Sequence, residues 1–147
     1  MGAHVTAEDD PDDAAGEQGS DAESLARKFQ RELSAGLVAF VLLSVLDRAS
    51  EDLYGYQIAK QLQSAGPITP VGIKQGALYP VLRTLAANGL LASRIVPSYS
   101  GPPRRYYRIT PQGRVVLARW QEIWTDMRSF VNRLAPARGA DQKAGNP

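Results

Sequence analysis

The sequence predicts a mainly α, α+β fold in which three helices are followed by a two-stranded hairpin and one long closing helix. Three observations predict it. Apolar residues cluster or recur at helical spacing in three stretches between Leu37 and Leu85. Residues that favour strands flank a turn rich in Pro, Gly and Ser between Leu90 and Thr110. A regular apolar stripe then runs from Val116 to Leu134. At 147 residues without cysteine, the chain is expected to hold one domain whose core rests on packing alone.

Residues 1–24 carry eight acids, no Lys or Arg and almost no bulky apolar side chain, a composition that predicts a disordered tail. From Leu25 the composition shifts. Leu37, Val38, Phe40, Val41, Leu42, Leu43, Val45 and Leu46 crowd into ten positions, which predicts a helix buried nearly all round. Tyr54, Ile58 and Leu62 at four-residue spacing predict a short second helix over Tyr54–Gln63, ended by Gly66-Pro67. A third helix is expected from about Ile73 to Asn88, with Leu78, Val81, Leu82 and Leu85 facing inward. Pro80 conflicts with a long helix interior, so this helix either starts late or bends there.

Leu90–Val96 and Arg105–Thr110 read as strands joined by a loop over Pro97–Pro103. Tyr106 and Tyr107 fall on opposite faces of the second strand, so at least one should reach the core. The closing helix is expected from Pro111, a good first-turn residue, to Leu134. The expected organisation is a tail over 1–24, a helix-and-hairpin domain over 25–110, the closing helix over 111–135 and a second disordered tail over 136–147. No uninterrupted run of about 18 apolar residues and no basic-then-apolar leader are present, so a cytoplasmic protein without a membrane span is expected.

Val116, Trp120, Ile123, Met127, Phe130 and Leu134 alternate spacings of four and three, and Leu117, Trp124 and Val131 add a flanking row seven apart, which is a heptad pattern. A helix of roughly 24 residues extends about 36 Å. A domain of this size has little core to cover so wide a stripe, so Val116, Trp120, Ile123, Trp124, Met127, Phe130, Val131 and Leu134 are expected to form a homodimer interface.

The net charge of +2 hides an asymmetry: without residues 1–24, all 17 basic residues face seven acids, a balance of +10. Such charge suits a polyanion, with a solvated arginine-rich surface as the alternative. The order of elements decides for nucleic acid, because a third helix followed at once by a twisted hairpin is the layout of a winged helix-turn-helix with a two-stranded wing. With the leucines inward, Gln75, Tyr79 and Arg83 share another face, near Lys74. Arg can bond guanine bidentately and Gln adenine, Tyr can meet a phosphate or a thymine methyl, and Lys74 suits backbone phosphate. On the wing, Arg104 and Arg105 follow a flexible tip and suit a narrow, electronegative minor groove.

At these residues the chain resembles the PadR family of bacterial transcriptional regulators, from roughly Leu33 to Leu134. Leu53-Tyr54-Gly55-Tyr56-Gln57-Ile58 resembles the family's Tyr-Gly-Tyr start of the second helix, and Gly76-Ala77-Leu78-Tyr79-Pro80 its Gly-Thr-Leu-Tyr-Pro motif. Leu82-Arg83-Thr84-Leu85 through Gly89-Leu90-Leu91 also resembles it. The stretch from Gly101 to Gly113 is similar to the family's Gly-Pro-x-Arg-Lys-Tyr-Tyr-x-Leu-Thr-x-x-Gly wing. The resemblance makes Pro80 normal in the recognition helix. Ala77 departs from the family's threonine, removing a hydroxyl, and the acidic tail has no counterpart in the common pattern. A single helix after the wing matches the short-tailed subgroup.

The resemblance implies a two-fold dimer formed through the last helix that binds a palindromic operator in double-stranded DNA, commonly as a repressor. In some members small aromatic or cationic molecules relieve repression, and Trp124 falls where multidrug-binding relatives carry a stacking tryptophan, with Trp120 one turn before it. The pair either stacks such an effector or, as aromatic stripes more often do, fills the dimer seam. No cofactor is expected.

An enzyme is not expected. The one histidine, His4, lies in the acidic tail, and the acids beyond it form no acid/base or metal constellation, so no catalytic or metal-binding residue is assigned. A competing reading is a winged helix that binds protein. The acidic tail either competes with DNA for the basic surface or is a solubilising extension.

Overall fold

The computed structural model describes residues 11–65 and 75–138, together with Gly2. Its elements are α1 (Pro11–Arg48), β1 (Leu53–Tyr54), α2 (Gly55–Ser64), α3 (Gln75–Ala87), β2 (Leu91–Val96), β3 (Arg104–Ile109) and α4 (Pro111–Leu134). The strands form an antiparallel sheet in the order β1-β3-β2. Leu53 pairs with Tyr107 and Tyr54 with Tyr106, while β2 and β3 pair from Leu91 with Ile109 out to Val96 with Arg104. This is the winged-helix arrangement that the sequence predicts, with the core at the junction of α1, α2, α3 and the sheet.

Leu42, Leu43 and Leu46 of α1 meet Ile58 and Leu62 of α2 and Leu78, Leu82 and Leu85 of α3 in that core. Leu91, Tyr107 and Ile109 close it from the sheet, and Leu117 from α4. Removing this much apolar surface from water is the main term holding the domain, at about 25 cal/mol per Å². Val81 is half-buried at the edge of the inward face of α3. Tyr107 is the tyrosine that reaches the core, and Tyr106 is half-buried on the other face.

The disorder expected over residues 1–24 is corrected for residues 11–24, which form the start of α1. Residues 1 and 3–10, and with them His4, lie outside the described residues, as do 139–147 of the expected second tail. Composition argued that this stretch buries too little surface to order itself. Lengthening an existing helix, however, needs no new nucleus. Pro11 is tolerated in a first turn, and acids early in a helix complement its dipole.

By length and composition α1 is also apolar enough over Gln18–Arg48 to cross a membrane, with a mean hydropathy of 1.5 in its most apolar window. Interrupted apolar stretches escaped a search for continuous runs. The most apolar part of this helix supplies Leu42, Leu43 and Leu46 to the core.

Tyr54, expected to open the second helix, lies in β1 and precedes α2, where its N–H donates to Gln57 Oε1 at 3.1 Å. A two-residue strand carries no periodicity, so only its pairing with β3 reveals it. Pro80 falls inside α3, one and a half turns after Gln75, and the Thr84 hydroxyl donates to its carbonyl at 3.0 Å. The expected start at Ile73 lies outside the described residues.

Candidate nucleic-acid interface

Seating Leu78, Leu82 and Leu85 in the core turns Arg83 to solvent and leaves Tyr79 38% exposed. Lys74, and the side chain of Gln75, lie outside the described residues. The presented face of α3 thus carries Tyr79 and Arg83, four residues apart on one side of the helix.

The wing sorts its two arginines. Successive side chains on a strand point to opposite faces. Arg105 shares the face of Tyr107 and Ile109, and its Nη1 donates to Ser93 Oγ across the hairpin at 3.1 Å. Burial pushes the Tyr107 phenol above its usual pKa; the nearby Arg105 and Arg83 charges pull it back, and Tyr79 raises it further. The charges of Arg83 on the helix and Arg105 on the wing both act on one buried tyrosine, which remains a neutral phenol at pH 7. Two cations held on one side of the domain suit an anionic backbone.

Arg104 lies on the opposite face. Its guanidinium sits 4.6 Å from the centroid of the Tyr54 ring, which meets Tyr106 edge-on at 5.3 Å. Arg94 completes this outer face, 5.0 Å over Tyr106 and paired with Asp52 at 2.9 Å. The two predicted wing contacts therefore leave β3 on opposite faces and have different partners, although both border one cleft at the wing tip. Strand alternation carries that separation in the sequence, because adjacent strand residues cannot share a face.

Gly55 follows Tyr54 and explains a motif that sequence alone left unexplained. A Cβ at Gly55 would lie 2.5 Å from Cε1 of Tyr79, so the ring of Tyr79 lies directly against the first residue of α2. Wing tip, α2 start and Tyr79 together border an open cleft of about 460 Å³ that includes Tyr56, Ser98 and Ser100.

A threonine joins the reading helix to the long one. Thr110 Oγ1 donates to the carbonyl of Gly89 at 2.7 Å and accepts the N–H of Gly113 at 3.0 Å, capping α4. Gly89 ends α3 with φ at 76°, a conformation that favours glycine. A Cβ at Gly113 would collide with the Leu90 carbonyl, so α4 starts pressed against the strand that leaves α3.

Along α4, Val116 and Trp120 pack partly on the domain's own core and Trp124 is half-buried. Ile123, Met127, Phe130, Val131 and Leu134 are exposed, by 42% to 71%. Sequence reading missed that α1 adds Leu25, Phe29 and Leu33, all exposed and four residues apart. An open groove of about 390 Å³ between the two helices is lined by Leu37 and Phe40 of α1 and Trp120, Ile123, Trp124 and Met127 of α4.

The model of the Transcriptional regulator PadR-like family matches residues 42–119, from the last two turns of α1 into the third turn of α4. The chain belongs to the PadR family. It is 37% identical over 125 residues to Transcriptional regulator Rv3488 of Mycobacterium tuberculosis, covering 82% of this chain and 97% of that protein. Among solved structures it is similar to a PadR family transcriptional regulator of Eggerthella lenta, with a TM-score of 0.69, 31% identity and coverage of 81% of this chain and 99% of that one. A PadR-like transcription factor of Bacteroides fragilis superposes with a TM-score of 0.58 at 28% identity, covering 74% and 99%. This PadR protein is therefore a winged-helix transcriptional regulator and not an enzyme. Membership of a transcription-regulator family implies DNA as its partner.

Proposed function

We propose that this PadR protein is a cytoplasmic repressor that binds a palindromic operator as a homodimer. The observation that carries the reading is that α3 presents Arg83 and Tyr79 to solvent and that Tyr79 borders one cleft with Arg104 and Arg105 of the wing. Arg83 suits a base edge in the major groove, with Tyr79 beside it, and the sequence assigns Gln75 to a base and Lys74 to phosphate. Arg105 suits the phosphates or minor groove beside the wing. The dimer rests on the exposed stripe of Ile123, Met127, Phe130, Val131 and Leu134, continued by Leu25, Phe29 and Leu33, whose combined length exceeds what isolated surface hydrophobics need. Val116, Trp120 and Trp124 border the same seam.

Fluorescence anisotropy on duplexes tiling the region upstream of the gene tests this, with sedimentation to count protomers. Saturable binding of two protomers to one duplex is expected, with log affinity falling with log salt at about 0.9 per phosphate neutralised. Arg83→Ala should weaken that duplex by about 1 to 3 kcal/mol if it reads a base. Equal, weak and salt-insensitive binding everywhere would favour the protein-binding reading.

A small planar aromatic or cationic effector is the second part of the proposal, supported by the groove that exposes one side of Trp120 and Trp124. Quenching of tryptophan fluorescence by a planar cationic dye, lost in Trp124→Ala, is the expected result. The acids of the N-terminal segment whose side chains are described do not favour masking of the basic face. Asp21 and Glu23 stand 20 or more residues before Leu43, about 30 Å along the helix from the core that seats α3.

A further inference from the structure

The two DNA-facing parts of a winged helix must be held at a fixed separation, and here both are anchored on one dipeptide. Tyr79 of α3 lies on Gly55, while Arg104 stacks on Tyr54, the residue before it. Arg104 pairs with Val96 as the last rung of the hairpin, at the root of the seven-residue tip spanning 97–103. Tyr54 is itself held: its backbone pairs with Tyr106, its N–H is bonded to Gln57, and its ring meets Tyr106 edge-on. A guanidinium over such a ring gains from the negative π face, and that gain disappears if the tip swings away.

We infer that the Tyr54–Gly55 corner sets the spacing between recognition helix and wing, and that Arg104 acts as a positioning residue through its stack on Tyr54. The inference rests on the DNA-binding reading above and assigns the wing's DNA-contacting charge to Arg105. A contacting arginine and a positioning arginine differ in their salt response. Removing an arginine that neutralises a phosphate lowers the salt slope by about 0.9, whereas loosening the wing weakens binding without releasing fewer counterions.

The test compares Arg104→Ala, Arg104→Lys, Arg105→Ala, Tyr54→Phe, Tyr54→Leu and the double variant Arg104→Ala/Tyr54→Leu on the tightest of the tiled duplexes. Arg104→Ala should weaken binding about two- to fivefold at unchanged slope, the range expected of an exposed cation–π contact. Arg104→Lys, which keeps a cation over the ring, and Tyr54→Phe, which keeps the ring, should retain most of the affinity. The double variant should add little to Tyr54→Leu alone, because the two residues share one interaction. Arg105→Ala should lower the slope. A second measurement needs no DNA: amide hydrogen exchange of residues 97–103 in the free protein should speed up in Arg104→Ala and stay unchanged in Arg105→Ala. An equal drop in slope in both arginine variants, or unchanged exchange in Arg104→Ala, overturns the inference. Absence of salt-dependent binding in the unaltered protein would defeat the DNA reading instead, while the exchange experiment still decides whether Arg104 ties down the wing.

Discussion

In the half of the molecule built from α2, α3 and the hairpin, the large apolar side chains Ile58, Leu62, Leu78, Leu82, Leu91 and Ile109 are buried, with Ile95 out on the wing an exposed exception. In the projecting half, where the start of α1 accompanies the end of α4, Leu25, Phe29, Met127, Phe130 and Leu134 each keep more than half of their surface exposed. Both halves are rich in leucine and aromatic residues, so composition does not separate them. What separates them is closure: three helices and a sheet can surround a point, whereas two long helices leave an open side. The first half completes its packing within one chain, and the second asks for a partner.

That contrast can be broken from either side. The largest effect is expected at Leu82, fully buried at the centre of the closed half. Leu82→Ala should cost about 2 to 5 kcal/mol in chemical denaturation. If the dimer holds the projecting half alone, that cost should be independent of protein concentration once dissociation is accounted for. Phe130→Asp should do the reverse, leaving the far-ultraviolet spectrum intact but weakening self-association by about 2 kcal/mol or more in sedimentation equilibrium, as removal of a central interface anchor does. An unchanged dimer would place the interface elsewhere.

Gly55→Ala sharpens the comparison within the closed half. The added methyl meets the Tyr79 ring, so overpacking of about 1 to 3 kcal/mol is expected, along with a fall in operator affinity larger than the fall in stability explains. Thr110→Ala removes the cap of α4 and should cost about 1 kcal/mol in thermal unfolding. The smallest effect concerns pH. Because burial raises the Tyr107 pKa in the folded protein, its stabilising contribution is intact below the ordinary phenol value of about 10. It declines as pH climbs from there through the raised folded value. Tyr107→Phe should flatten that alkaline decline in a pH series of urea melts.

Much of this architecture is legible in the residues. Leu78, Leu82 and Leu85 mark the inward face of α3 at the correct spacing, and Thr110-Pro111 marks the start of α4 because a capping hydroxyl and a ready-made φ sit side by side. β1 was not legible, since two residues have no period and exist as a strand only through β3. The start of α1 was hidden for a different reason: composition measures what a segment can bury, not what a neighbouring helix can extend into it. Arg104 and Arg105 are legible as charge but not as residues with different partners. Alternation along a strand contains the separation, whereas the partner that holds Arg104, Tyr54, is 50 residues away and visible only in three dimensions.

The Thr110 joint gives the proposed dimer a mechanical property. One hydroxyl holds both the carbonyl of Gly89, where the recognition helix ends, and the first turn of the long helix, and Gly113 brings the latter flush against Leu90. No slack separates the two, so a tilt of one long helix against its mate becomes a displacement of the reading heads along the DNA axis. Half-sites one helical turn apart, about 34 Å, accept little error in that distance. The protein would then work as a calliper, its jaws set by the angle at which the two long helices cross.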